Sequence, residues 1–415
     1  MTQGNKQVPI GLFEGFGIEL EYMIVNDRTL DVLPISDKLI REVSEDDSGD
    51  ADRGALGWSN ELVLHVVELK TNGPVSSLDD LSETFHREIL DINERLKKHD
   101  GCLMSSAMHP WMDPDKEMKL WPHDNSPVYE AYHHIFDCKG HGWANLQSVH
   151  INLPFANDEE FGRLHAAVRL ILPLIPALAA SSPFADGQAS GFMDYRLEAY
   201  RNNQSRIPSI AGKVIPEKVF TRQDYEEVIL EKMYKEIAEH DPEAILQEEW
   251  LNSRGAIVRF DRNTIEIRLI DIQECPKADI AIAAFIVEII KAHVRGEWVS
   301  YKHQQQYDEE VLQEILLNCI TDGENALIRD SSFLAAFGLQ TDVCTANYLL
   351  SHIYNTMKKS LMLYDQPISL ILEEGTLATR LLNASGSNFS RSALKRIYGQ
   401  LIDCLATNRM FGEEV

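Results

Sequence analysis

Residues 15–25 read GFGIELEYMIV, and their alternation sets the first strand of the fold. Ile18, Leu20, Tyr22 and Ile24 fall on one face of a period-2 element, and Gly17, Glu19, Glu21 and Met23 on the other. One face is core; the other carries two carboxylates. At i and i+2 in a low-dielectric setting these repel each other, so the arrangement calls for water, a basic neighbour or a bound cation. A solvated outer face would explain the pair as well, and an E-x-E does not decide between the two by itself.

The pattern recurs further along. In NLQSVHINLPF (145–155), Val149, Ile151 and Leu153 alternate with Ser148, His150 and Asn152, so a histidine and an asparagine share the polar face of a strand. In NELVLHVVELKTNGP (60–74), Glu61 and Glu68 bracket a β-rich run at an odd spacing, which would send them to opposite faces of a regular strand. Either Glu61 lies before the strand or a bulge intervenes. In AIVRFDRNTIEIRLID (256–271), a two-residue turn at Arg262 and Asn263 would pair Phe260 with Ile265 and Val258 with Ile267. That register puts Arg259 opposite Glu266 and stands Glu266 and Arg268 together on the polar face. Taken alone, the hairpin needs only a cross-strand ion pair, worth at most about 1 kcal/mol.

β-rich runs near 15–25, 61–70, 101–107, 145–154, 256–261 and 264–271 are separated by helical patterns at 78–99, 158–180, 223–239 and 277–295. This spacing predicts an α+β fold with an antiparallel or mixed sheet rather than a regular βαβ repeat. From about 306 onward the periodicity is helical, which predicts a C-terminal helical region, 301–415, packed on a catalytic region, 1–300. The acidic run SEDDSGDADRG (44–54) reads as a solvated loop.

At 415 residues and 44% hydrophobic, the chain can bury a large core. Its 65 acidic against 39 basic residues, a formal charge of −26, argue against binding to nucleic acid or to an anionic membrane surface. The six cysteines are far apart, with no zinc spacing, as expected of free thiols in a reducing cytoplasm. The start MTQGNKQVPI lacks the features of a signal peptide, and RLILPLIPALAA (169–180), with Pro173 and Pro176, reads as a buried helix too short to span a bilayer. There is no G-x-x-x-x-G-K-[ST] loop and no G-x-G-x-x-G between a strand and a helix. A nucleotide bound here would need metal and arginine to hold its phosphates.

Together, Glu19, Glu21, Glu68, His150 and Glu266 offer oxygen and imidazole ligands on polar faces of separate strands, a set suited to Mg²⁺ or Mn²⁺. Acid, metal and arginine without a glycine-rich loop can bind a triphosphate and stabilise its transferring phosphoryl group.

In order along the chain, GIELEYMIV, NELVLHVVELKTNGP, QSVHINLPF, SSPFADGQASGFMDYR and NTIEIRLIDIQECPKADIAIAAFIVEII resemble the carboxylate-amine ligase family, also called glutamate-cysteine ligase type 2, among the glutamine synthetase-like folds. The resemblance spans roughly residues 11–296. It implies a curved antiparallel sheet of about six strands, flanked by helices, whose concave face holds ATP and two or three Mg²⁺ ions. It implies Glu19, Glu21, Glu61, Glu68, His150 and Glu266 as metal ligands, and Arg268 as the group neutralising the γ-phosphate, with Arg259 and Arg254 as further candidates for the same anion. Asn152 joins the binding set, and Tyr195, Arg196 and Arg201 are candidates for a substrate carboxylate, since planar guanidinium forks suit one; helix surface is the alternative for those arginines.

The implied reaction is ATP-dependent amide formation between a small-molecule carboxylate, the γ-carboxylate of glutamate, and an amine that the sequence does not identify. A noncatalytic nucleotide- and metal-binding protein of the same fold, and a metal-dependent phosphohydrolase, are the competing readings. The expected setting is cytoplasmic, without nucleic-acid or membrane partners, and with room for a homo-oligomer.

Overall fold

The alternation at the N-terminus does become a strand, and it lies inside the sheet. In the computed structural model, which describes residues 9–44 and 49–413, eight strands form one antiparallel sheet. They are β1 (Gly17–Asn26), β2 (Asp50–Asp52), β3 (Leu56–Asn60), β4 (Val66–Thr71), β5 (Gly101–Met104), β6 (Ser148–Pro154), β7 (Ala256–Arg259) and β8 (Thr264–Asp271). Their order is β2-β3-β4-β1-β6-β8-β7, and β5 pairs with the second half of β1. Six β-rich runs were expected; β2 and β3 enlarge the sheet. β2 comes from the acidic stretch expected to be a loop, of which residues 45–48 lie outside the described residues, as do residues 1–8, on which most of the leader expectation rests.

Register sorts the side chains. Leu20 faces Leu69, Ile18 faces Ile151, and Ile151 faces Ile267, all fully buried. Each such side chain contributes about 1.5–3 kcal/mol by leaving water. They pack in one core with Phe85 and Ile89 of the helix Leu81–Leu96, Phe161 and Leu164 of Asp158–Ile171, and Phe285 and Ile286 of Pro276–Arg295. The last helix starts with Pro276 at its first position, where the missing N–H costs nothing, and ends at Gly296 in a left-handed conformation (φ 70°). Asp158–Ala179 is the one stretch among the described residues long and apolar enough to cross a membrane, and it is a core element with 94% of its most apolar window buried.

Two details correct the expected hairpin. β7 and β8 pair Val258 with Ile265 and Arg259 with Thr264, so Phe260–Asn263 form a four-residue connection, with Asn263 at φ 52°, in place of a two-residue turn. The shift is two residues, so every side chain keeps its face. Arg259 therefore lies opposite Thr264, not Glu266. Further along β8 the ladder to β6 skips: Ile267 faces Ile151, whereas Ile270 faces Val149. Three residues on β8 span two on β6, a bulge at Arg268 and Leu269.

Past residue 300, Leu312, Leu316, Phe333 and Leu349 join the same core, while Leu381, Leu394 and Leu401 form a second cluster with Met23, Val25 and Met104 of β1 and β5. All six cysteines are unpaired.

Candidate active site

The polar face of the sheet lines a cleft of ≈ 1220 Å³. Period-2 geometry brings its groups together across four strands: Glu19 lies opposite His150 and Lys70, and Glu21 opposite Glu68. Asn152 sits between Gly17 and Glu266. Gly17 matters for space, because a Cβ there would stand 3.0 Å from that of Asn152. Glu61 follows β3 in the connection to β4, which answers the parity question: it precedes its strand and approaches Glu68 from the loop.

These groups converge. Ligand atoms of Glu19, Glu68 and His150 lie within 4.8 Å of one another, and so do those of Glu21, Glu61 and Glu68. Glu68 belongs to both sets. His150 Nδ1 is 2.8 Å from Glu19 Oε2 and 3.8 Å from Glu266 Oε1; its Nε2 is 3.0 Å from Ser148 Oγ and 3.7 Å from Glu21 Oε1. Asn152 donates to Glu19 (3.0 Å), Ser59 Oγ donates to Glu68 (2.6 Å), and the Ser148 N–H donates to Glu21 (2.7 Å).

So many buried carboxylates cannot all stay ionised unaided. Burial and the neighbouring Glu19 push Glu68 up to about 8, against the opposing effect of Lys70, and burial with Glu21 and Glu68 raises Glu61 well above the ordinary range. Burial works against Glu19 too, but the hydrogen bond and charge of His150 hold it at about 2. Burial disfavours the His150 imidazolium, yet its carboxylate neighbours raise it to about 9. As placed, His150 is itself the cation its neighbours lean on, and it can ligate a metal only after giving up its proton. The excess negative charge and all-oxygen-plus-imidazole donor set fit a hard divalent cation.

The candidate arginines divide sharply. Arg268 lines the cleft, with its Nε 3.1 Å from Glu266 Oε1. Burial opposes its charge, but Glu266 outweighs this and keeps it protonated. Arg259 also lines the cleft, held by Asp261 (3.1 Å) and facing Glu249 (3.8 Å). Arg196 reaches the wall of the cleft from the helix Tyr195–Tyr200, almost wholly buried and ion-paired with Asp271. Arg254 does not line the cleft: it is buried against Glu217 (2.6 Å) and the Ser209 carbonyl (3.1 Å). Nor does Arg201, which pairs with Glu198 (2.8 Å), or Tyr195, which packs against Phe192 and His141.

Sequence reasoning missed Ser59, Lys70, Tyr200, Gln204 and Asp271. Lys70 was within reach, since it lies two residues after Glu68 on the same face. Ser59 was not, because β3 had not been recognised.

The polar face of the sheet thus gathers carboxylates, a histidine and an arginine in one cleft. The sequence pattern of glutamate-cysteine ligase family 2 matches residues 15–398, and the chain belongs to that family of carbon–nitrogen ligases. An uncharacterized protein of Archaeoglobus fulgidus is 32% identical over 396 residues, covering 95% of this chain and 99% of its own. A Bradyrhizobium diazoefficiens protein provisionally named glutamate–cysteine ligase 2 is 28% identical over 221 residues, 52% of this chain but only 46% of the relative. Among solved structures, a glutamate–cysteine ligase from Francisella tularensis in complex with AMP superposes with a TM-score of 0.58 at 11% identity, covering 95% of this chain and 90% of that one. At that identity the likeness speaks for the fold.

Proposed function

We propose that the protein is an ATP- and Mg²⁺- or Mn²⁺-dependent carboxylate-amine ligase that activates the γ-carboxylate of glutamate as an acyl phosphate and passes it to an amine. The observation that carries this reading is the pair of carboxylate sets sharing Glu68, with Arg268 in the same cleft. A carboxylate oxygen attacks the γ-phosphorus and the bond to ADP breaks; the amine nitrogen then attacks the acyl carbon, and phosphate leaves with the C–O bonding pair. Divalent ions held by Glu19, Glu21, Glu61, Glu68, His150 and Glu266 would neutralise the charge of the triphosphate.

The protein's own groups do the rest. Arg268, aimed by Glu266, meets the negative charge of the transferring phosphoryl group, and Arg259 assists at the same anion. Asn152 fixes Glu19, and the Ser148 N–H fixes Glu21, so the acidic row is held before any ligand arrives. Arg196, anchored by Asp271, offers a donor to a substrate carboxylate. In this reading residues 1–300 carry the chemistry, residues 301–415 buttress the sheet, and the reaction takes place in the cytoplasm.

Purified protein with Mg-ATP, followed by ADP release and by mass spectrometry for a new amide, tests the proposal. ADP release that requires both glutamate and an amine, with an amide product, is expected. Release without either would make the protein a phosphohydrolase, and no release with any amine would make it a binding protein.

A further inference from the structure

The end of the cleft beyond Arg268 has a different character from the acidic row. Its floor is the segment that begins with the helix Tyr195–Tyr200 and continues through turns to Gln204. Arg196, Tyr200 and Gln204 follow one another at intervals of four residues, and all three line the cleft. Arg196 Nη2 and Gln204 Oε1 are buried polar atoms without a partner, and Tyr200 Oη lies beside the Arg268 guanidinium. Arg196 and Gln204 are each only 2% exposed.

Their other atoms are spoken for. Arg196 Nε is held by Asp271, and its Nη1 lies 3.5 Å from the Arg268 carbonyl. Gln204 Nε2 donates to Ser253 Oγ (2.9 Å), which fixes its amide and leaves the carbonyl oxygen as a free acceptor. Unmet donors and acceptors in a buried place cost stability, so their retention points to a ligand that meets them.

Above this floor stands an aromatic wall. Tyr132 is centred between Trp143 (ring centroids 5.3 Å apart) and Trp250 (6.0 Å), and all three line the cleft. Such faces take a flat or bulky apolar body. A bridging water could satisfy the floor but would leave the wall without a purpose.

We propose that this end of the cleft is the subsite of the amine substrate, and that the amine is an amino acid with a large apolar or aromatic side chain. Its carboxylate meets Arg196 Nη2 and Tyr200 Oη, an N–H meets Gln204 Oε1, and its side chain lies on the ring of Trp143, Tyr132 or Trp250. That the bound amino acid is the reaction's amine rests on the ligase reading; that it binds does not.

Titration of the full-length protein with L-phenylalanine, 3-phenylpropionate, 2-phenylethylamine and L-cysteine, followed by tryptophan fluorescence and calorimetry, tests this. Each titration is run with Mg²⁺ alone and with Mg²⁺ plus a non-hydrolysable ATP analogue. Saturable binding of phenylalanine is expected in at least one condition, with each of the other three at least tenfold weaker. Gln204→Leu should erase the preference for phenylalanine over 3-phenylpropionate, and Trp250→Ala should narrow the gap to cysteine; the four-ligand comparison on the unaltered protein decides if either variant misfolds. No saturable binding of phenylalanine at millimolar concentrations, comparators within threefold of it, or a preference intact in Gln204→Leu would each overturn the subsite. Phenylalanine binding without ADP release for any amine would retain the subsite and end the ligase reading, whereas glutamate-dependent turnover of small amines without phenylalanine binding would do the reverse.

Discussion

The cleft face of the central sheet and the packing behind its last hairpin each hold an arginine against a glutamate, and the two pairs do opposite work. Arg268 and Glu266 stand beside a row of further acids in a cleft that water and ligands can enter. Arg254 is sealed by the Ser209 carbonyl and Asn252, its side chain 2% exposed, and pairs with Glu217, which keeps 27% of its side chain in contact with water. The same pairing faces a cleft in one place and braces the interior in the other. What separates them is whether a side chain leaves the sheet towards the cleft or leaves a loop towards the interior.

That contrast can be broken experimentally. The largest effect is expected at the cleft: Arg268→Ala should lower turnover by about 10³-fold or more while the protein remains folded, as thermal melting and an ADP-release assay would show. A variant that unfolds, or one that keeps its rate, would remove the distinction. Arg254→Ala should do the converse, costing on the order of 3 kcal/mol in denaturant unfolding because it strands Glu217 and the carbonyl it served, with the surviving folded fraction still active.

The acidic row should announce itself through pH. Glu68 and Glu61 are raised in the folded protein and His150 is raised to about 9, whereas burial lowers His65, His165 and His293 to about 3 and His109 to about 4. Below about 6.5 those four histidines, protonated only in the unfolded chain, oppose the acids; above it the row holds extra protons, so chelator-treated protein should lose stability as pH rises from about 6.5 to about 9, on the order of 1 kcal/mol per pH unit. Glu19, held at about 2, acts oppositely below 4.5, where stability should rise with pH. Added Mg²⁺ should displace the protons and restore stability most strongly at the alkaline end, with proton release visible by calorimetry in buffers of different ionisation enthalpy. A flat profile would mean that the carboxylates do not share one field. The smallest effect is expected at Arg201→Ala, which removes a half-exposed pair with Glu198: less than about 1 kcal/mol and turnover within twofold.

Much of the sheet was legible because period-2 alternation survives in any register that preserves face. The strand at Gly17–Asn26 and the polar placement of Glu19, Glu21, His150, Glu266 and Arg268 follow from it directly. The same property hid the hairpin connection, since a two-residue shift moves no side chain to the other face. β3 is not legible because LGWSN is buried on both sides and has little alternation, so Ser59 is invisible and Glu61 stays open between a place ahead of its strand and a bulge. Alternation puts Arg268 on the polar face, but Arg254 and Arg201 lie outside any strand: residue type says that each guanidinium will find an acid, and only the path of the chain says that theirs do so away from the cleft. Tyr200 closes a helix of only six residues and Gln204 follows in turns, too short a stretch for periodicity to mark which side chains face the cleft.

The bulge in β8 has a consequence for how this protein tolerates change. With strict alternation Asp271 would share a side with Ile267, yet the additional residue turns it towards Ser148, where it anchors Arg196, and returns Ile270 to Val149. Excising Leu269 would give up its buried side chain but leave a regular strand in which Ile270 still meets Val149 and Asp271 still meets Ser148. The strand thus carries one residue in reserve, and its far end can lose a position there without any side chain changing sides.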